Sequence, residues 1–149
     1  MICPCQMQQP QTKVYAQCCE PFHLGEVATT PEQLMRSRFS GFALGLTDYI
    51  AQTWHPSTRP QDLTLSPDDQ WIKLDIVQTK PNWVHFRAYF NDPDSPSGWS
   101  VLDEQSNFIN EGNRWFYVKG NTQIEHFFPA RNDACLCGSS KKYKKCCQK

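Results

Sequence analysis

No cysteine stands between Cys19 and Cys135, although the chain carries eight in 149 residues. A disulfide-stapled fold would spread its cysteines through the elements it joins, so this gap excludes that framework. Net charge is missing as well. Fifteen Lys and Arg balance fifteen Asp and Glu, which removes any global steering toward nucleic acid or an anionic membrane. No apolar run approaches the roughly 20 residues of a transmembrane helix. The start, Met1-Ile2-Cys3-Pro4-Cys5, has neither the basic nor the apolar region of a secretory signal. The expectation is a cytoplasmic protein whose thiols stay reduced and serve metal or redox chemistry. Nucleophile-elbow, phosphate-loop and cofactor fingerprints are absent too. No catalytic residue is assigned, and a binding module stands ahead of an enzyme.

What is present divides into a core and two ends. Aromatic residues make up 13% of the chain, enough for one compact domain with short appendages. Residues 1–25 read as a cysteine-bearing loop module, 26–130 as the core and 131–149 as a second cysteine module. Thr30, Pro31 and Gln33 predict a helix start with a capping box. Leu34, Met35, Phe39, Phe42, Leu46 and Tyr49 then recur at helical spacing. Gly45 is expected to interrupt this helix, with Thr47 or Asp48 capping a second one through Ile50 and Trp54. His55-Pro56 ends the helical region, and Pro60 and Ser66-Pro67 predict a loop with a short helical turn.

From Trp71 the period becomes two. Ile72, Leu74 and Ile76 alternate with Trp71, Lys73 and Asp75, and Val84, Phe86, Ala88 and Phe90 alternate with Trp83, His85, Arg87 and Tyr89. Pro81-Asn82 and Glu111-Gly112-Asn113 read as hairpin turns, the second joining strands near 99–110 and 114–119. Helices followed by an antiparallel sheet make an α+β fold, with the helices covering one sheet face.

The cysteines form two closed groups. At the C-terminus, Cys135, Cys137, Cys146 and Cys147 fall within thirteen residues. Zinc takes four thiolates tetrahedrally, and two close pairs joined by a tight reversal supply them. Gly138 and Ser139 provide the reversal, and Lys141, Lys142, Lys144 and Lys145 offset the thiolate charge. The vicinal pair Cys146-Cys147 suits a disulfide poorly, because neighbouring Cα atoms sit about 3.8 Å apart. Cys3, Cys5, Cys18 and Cys19 repeat the pattern, with Tyr15 preceding its pair as Tyr143 does. Twelve residues rather than eight separate these pairs. Two complete sets predict two zinc ions, one per knuckle; one shared site drawing ligands from both ends is the alternative.

The C-terminal segment resembles the SEC-C motif, the zinc-binding tail of the SecA preprotein translocase. That motif reads Cys-x-Cys, eight residues, then Cys followed by Cys or His, with a Gly-Ser-x-Lys-Lys-Tyr interior. The whole chain resembles the uncharacterised bacterial YchJ-like family. The stretches that carry this are Leu34-Met35-Arg36-Ser37-Arg38-Phe39-Ser40, Thr53-Trp54-His55-Pro56, Arg114-Trp115-Phe116-Tyr117 and Arg131-Asn132-Asp133-Ala134-Cys135. The resemblance implies a nuclear transport factor 2-like (cystatin-like) domain, a cone-shaped sheet around N-terminal helices, between two SEC-C motifs. It implies no activity. The translocase tail binds a chaperone partner and acidic lipid surfaces, so the resemblance also implies docking of a protein partner through Lys141, Lys142, Tyr143, Lys144 and Lys145. Basic knuckles also occur in RNA binders, which leaves RNA or ribosome association as an alternative.

In the core, Arg36, Glu104 and Ser106 are the candidate pocket residues, Glu104 being inward in phase with Leu102, Ser106 and Phe108. An enzyme using this pocket for acid–base chemistry is the other alternative. Arg38, His55, Asp75, His85, Arg87 and Asp103 read as solvated charges or structural hydrogen bonds. Trp71, Trp83, Tyr89 and Trp99 share the outer phase. They form either an exposed aromatic interface or a surface that a terminal module buries. Oligomeric state is not legible.

Overall fold

Residues 1–66 and 70–148 are described by a computed structural model. The helical turn expected after Ser66-Pro67 falls partly on 67–69, outside the described residues, as does Lys149. One short helix, α1 (Glu20–His23), follows the N-terminal cysteines, and α2 (Pro31–Ala43) follows it. Thr30 Oγ1 accepts from Gln33 N at 3.1 Å, and Gln33 Oε1 reaches back to Thr29 N at 2.9 Å. The expected box forms, shifted by one residue on its return arm.

At the other end Gly45 adopts φ +71°. Its N–H meets Phe42 O, and Leu46 N–H meets Gly41 O at 2.8 Å. This is a Schellman closure, which needs the left-handed residue that glycine supplies without steric cost. The closure fixes Leu46 as the N-cap of α3 (Thr47–Gln52), without a side-chain cap. Thr47 is therefore the first helical residue, and neither it nor Asp48 caps the helix as expected. The helix also stops short of Trp54, which forms a parallel bridge to Tyr117 instead. His55 beyond it bonds Ser57 Oγ at 2.6 Å and Glu111 Oε1 at 2.7 Å, pinning the distal hairpin.

Four antiparallel strands follow in sequential order among the described residues: β1 (Trp71–Lys80), β2 (Trp83–Asn91), β3 (Trp99–Glu111) and β4 (Arg114–His126). Pro81-Asn82 turns the first hairpin. Gly112 and Asn113 turn the last, with φ of +59° and +63°, the left-handed pair that matches strand twist. β4 runs past the expected end near 119 to His126, held by pairing with β3 as far as Ser100↔His126. Its second half, Gly120-Asn121-Thr122-Gln123, lacks the apolar alternation that would have marked it in the sequence.

Leu74, Val84, Phe86, Ala88 and Phe108 are buried against Leu34, Met35 and Phe39 of α2, in the face the periodicity predicts. A register shift between Trp71 and Lys73 overturns the expected phase at the start of β1. A bulge places two residues opposite one, so the side chains before it change face. Trp71 thus turns inward, its ring centroid 6.2 Å from Phe39, while Ile72 joins the outer cluster. On the outer face Tyr89, Trp99 and Val101 are buried under Cys135 and Leu136. The terminal module covers this surface. Trp83 lies apart, with Lys80 Nζ 4.6 Å from its ring centroid, and the remainder of the face is polar, Asp103 bonding both His85 and Arg87.

Candidate metal centres

The two terminal modules are built on one hydrogen-bond pattern. At the N-terminus Cys3 N donates to Lys13 O and Tyr15 N to Met1 O, around the Ile2↔Val14 bridge. At the C-terminus Cys135 N donates to Lys141 O and Tyr143 N to Asp133 O, around the Ala134↔Lys142 bridge. Each tyrosine then opens a short 3-10 turn, Tyr15–Gln17 or Tyr143–Lys145, which delivers the second cysteine pair. The N-terminal module absorbs its longer reversal between these fixed points, starting with a further 3-10 turn, Pro4–Gln6. In the C-terminal one, Gly138 at φ +85° turns the chain directly after its first pair.

These frames bring all four sulfurs of each set within 4.8 Å of one another. Separations in the first set are 3.8 Å (Cys3–Cys5), 3.5 Å (Cys5–Cys18), 3.6 Å (Cys5–Cys19) and 3.9 Å (Cys18–Cys19). In the second, Cys137–Cys146 is 3.4 Å and Cys146–Cys147 is 3.8 Å. A tetrahedron with metal–sulfur bonds of about 2.3 Å has edges of about 3.8 Å, whereas a disulfide closes to about 2.05 Å. All eight thiols are free. Both clusters are positioned to hold a metal ion, each with its own four donors, and no cysteine is shared between the ends.

Electrostatics point the same way. Hydrogen bonds from Cys19 and Cys5 hold the Cys3 thiol low, while its bond to Cys3 pushes Cys19 up. At the other end the Ser139 hydroxyl, then Cys146, hold Cys137 down at about 6, and the bond with Cys135 pushes Cys147 up to about 12. Thiols in mutual contact ionise unequally, because each negative charge opposes the next. A divalent cation at the centre removes that opposition and allows all four to act as ligands.

The two sites differ in their surroundings. Cys3, Cys5 and Cys19 are at most 1% exposed and belong to the same buried cluster as Leu34 and Phe39. Ser40 of α2 contacts both Cys3 Sγ and Cys5 N. Arg36 faces this site rather than the interior of the sheet. Burial pulls its pKa down, but its bond to Glu32 at 3.0 Å and the Cys5 charge hold it above its usual value. It is a cation beside the N-terminal thiols, one helical position out of phase with the inner surface. At the C-terminus only Cys135 is buried, and Cys137 and Cys147 are exposed. Leu136 and Tyr143 fasten this module to the outer sheet face, with the Tyr143 and Trp99 rings 6.2 Å apart. Lys141, Lys142 and Lys145 are exposed and Lys144 is half-buried. Tyr143 packs inward, so the lysines are the part of this segment most open to solvent.

The modules also touch. Gln8 Nε2 donates to Leu136 O at 2.9 Å, and Gln9 Nε2 donates to the edge-strand carbonyl of Leu74 at 2.7 Å. The extra N-terminal residues thereby cap the exposed edge of β1 and reach the other knuckle.

Inside the sheet, Glu104 and Ser106 are buried, and Ser106 Oγ donates to Glu104 Oε2. The cavity beside Glu104 is lined by Met35, Arg38, Phe42, Trp54, Phe86 and Tyr117. Arg36 is not among them; Arg38, read from the sequence as solvated or merely structural, takes its place at 3% exposure. Its spacing from Leu34 and Phe42, four residues either way, was the signal that put it on the apolar stripe. Trp54 and Tyr117 carried no such signal, because their approach depends on the bridge between Trp54, just beyond α3, and β4.

Comparison with known proteins agrees with this architecture. A family model described as the YchJ middle NTF2-like domain matches residues 30–120, and a SEC-C motif model matches residues 131–149. A UPF0225 protein of Vibrio cholerae is 41% identical, with 99% of each chain covered. One from Vibrio parahaemolyticus is 37% identical, with 97% of each covered. Among solved structures, a SEC-C motif containing protein from Psychrobacter arcticus has a TM-score of 0.66 at 27% identity, covering 98% of this chain and 94% of its own. Another from Rhodopseudomonas palustris has a TM-score of 0.67 at 29% identity, covering 81% and 98%. With an NTF2-like α+β body and a SEC-C motif at its C-terminus, the chain belongs to the UPF0225 family of YchJ-type proteins.

Proposed function

We propose that this protein is a cytoplasmic docking adaptor that holds two zinc ions, one in each knuckle, with a core that binds a partner or small ligand. The observation that carries the zinc reading is the sulfur spacing, which follows the edges of a zinc–thiolate tetrahedron at both ends. Four cysteines with no oxygen donor favour zinc over calcium or magnesium. The buried N-terminal ion acts as a structural staple between residues 1–19 and α2. The C-terminal ion shapes a small platform that presents Lys141, Lys142, Lys144 and Lys145 to an acidic protein surface. No helix of the described residues is long and apolar enough to cross a membrane.

Elemental analysis of protein prepared with reductant and without chelator tests the first half; two zincs per chain are expected, and none would end the reading. A photocrosslinker placed at Lys145 in growing cells tests the second half. A discrete protein adduct supports docking. An RNA adduct, lost when the four lysines are neutralised, would replace it with the nucleic-acid alternative.

A further inference from the structure

Arg38 and Glu104 are buried opposite charges that line the same cavity without meeting. Their exposures are 3% and 7%, and neither has an ion-pair partner among the described residues. Buried charges are normally paired, because removing an ion from water is costly unless something replaces the hydration. Arg38 is met in part. Its Nη1 donates to Ile50 O at 3.0 Å and Thr53 Oγ1 at 2.7 Å, and its guanidinium carbon lies 4.6 Å from the Tyr117 ring centroid and 5.1 Å from that of Trp54. Glu104 receives Ser106 Oγ and interacts with the Tyr117 phenol.

Two further features indicate a built site. Trp54, which lines the cavity, has its Nε1 buried without a hydrogen-bond partner, the one such side-chain atom among the described residues. Across β4, the position of Gly120 is what lets Glu104 lie where it does. A Cβ there would fall 2.5 Å from Glu104 Oε2 and 2.7 Å from its Cδ and Cγ. The carboxylate is thus held by a serine, by the neighbouring Tyr117 phenol and by an absent side chain, inside a pocket whose other walls are Met35, Phe42 and Phe86.

We infer that this cavity binds a small zwitterion of the amino-acid class, its carboxylate toward Arg38 and Trp54 Nε1 and its ammonium toward Glu104. The site offers donors at one side and an acceptor at the other. Its two charges cancel, which suits a zwitterion and penalises a plain anion or cation. The volume is about 110 Å³, below the roughly 150 Å³ of a cavity that admits benzene. That limits the buried portion to about five non-hydrogen atoms. Arg38 remains a cation at neutral pH, because burial lowers it only to about 10. The inference deepens the ligand-binding part of the proposed function and is independent of the knuckles.

The test is titration of the full-length, zinc-loaded protein with glycine, acetate and methylammonium, followed through the Trp54 indole N–H resonance. Trp54 is assigned through its contacts with Tyr117, whose ring lies 5.0 Å away. A saturable shift with glycine, at least tenfold tighter than with either half-molecule, is the expected result. Glu104→Gln, which keeps the shape, should weaken glycine by about tenfold, the loss of one charged hydrogen bond. Saturation by acetate or methylammonium as tightly as by glycine overturns the zwitterion class while leaving a core ligand in place. No saturable response to any of the three overturns the inference and leaves water as the occupant. Zinc content, measured on the same sample, reports the knuckles separately.

Discussion

The Ser40 hydroxyl on α2 lies 3.4 Å from the Cys3 sulfur and 3.2 Å from the Cys5 backbone nitrogen. One side chain of the core therefore orients the first ligand pair of the N-terminal centre. Groups bonded to metal ligands fix their geometry and tune their basicity. Ser40→Ala should weaken metal retention at that centre by about 10–100-fold, as loss of such partners typically does. Competition with a chromophoric chelator, release being assigned to one site in a Cys137→Ser background, reads this out. Unchanged retention would show the contact to be packing alone.

The burial of the two centres predicts unequal consequences of metal loss. Cys3, Cys5 and Cys19 share a cluster with Leu34, Met35 and Phe39. Cys3→Ser should lower the thermal midpoint of the whole protein far more than Cys147→Ser, whose site is exposed and rests on the sheet through Leu136 and Tyr143. Calorimetry on both variants decides it. Equal losses would mean that the N-terminal module is not part of the core.

Leu136 is 5% exposed and packs with Tyr89, Trp99 and Val101. Leu136→Ala removes the main apolar contact between the C-terminal knuckle and the sheet, at a cost of about 2–4 kcal/mol if the gap does not collapse. The measurable signature is a red shift of Trp99 fluorescence as water reaches the indole, with the N-terminal metal retained.

Gly120→Ala inserts a methyl group where Glu104 lies. Glu104 is held by Ser106 and cannot withdraw freely, so the substitution should destabilise by about 1–3 kcal/mol. Gly120→Ala combined with Glu104→Ala should recover part of the loss, since the methyl then has space. Denaturant unfolding of the single and double variants measures the coupling, and strict additivity would contradict the contact.

Burial raises the phenols of Tyr49, Tyr89 and Tyr117 above the ordinary 10.0, for Tyr117 with the added charge of Glu104. The folded state therefore favours the neutral phenols. Their contribution to stability is fully present below pH 10 and is lost as pH rises from there through the folded values. The tyrosinate absorbance of these three phenols, identified by Tyr→Phe variants, should accordingly appear together with loss of circular dichroism, not before it. Early ionisation of Tyr49, Tyr89 or Tyr117 in a folded protein would count against the burial of these rings.

Much of this was legible locally. The two four-cysteine clusters follow from cysteine spacing because a knuckle is closed by contacts within its own short segment. The start of α2, the Gly45 stop and both hairpin turns follow from capping and turn chemistry for the same reason. Where Arg36 and Arg38 point was less accessible, since adjacent helical positions differ by about 100° and only the neighbours say which is buried.

The sequence by itself thus determined two four-thiol centres, an α+β body and the order of its elements, all set by short-range chemistry. Only the tertiary structure decided that Trp71 turns inward, that the C-terminal knuckle covers Trp99, and that Arg38, Trp54 and Glu104 share a cavity. Each of these depends on segments distant in the chain meeting under the demand to bury apolar surface, and one bulge in β1 is enough to change which face a residue serves.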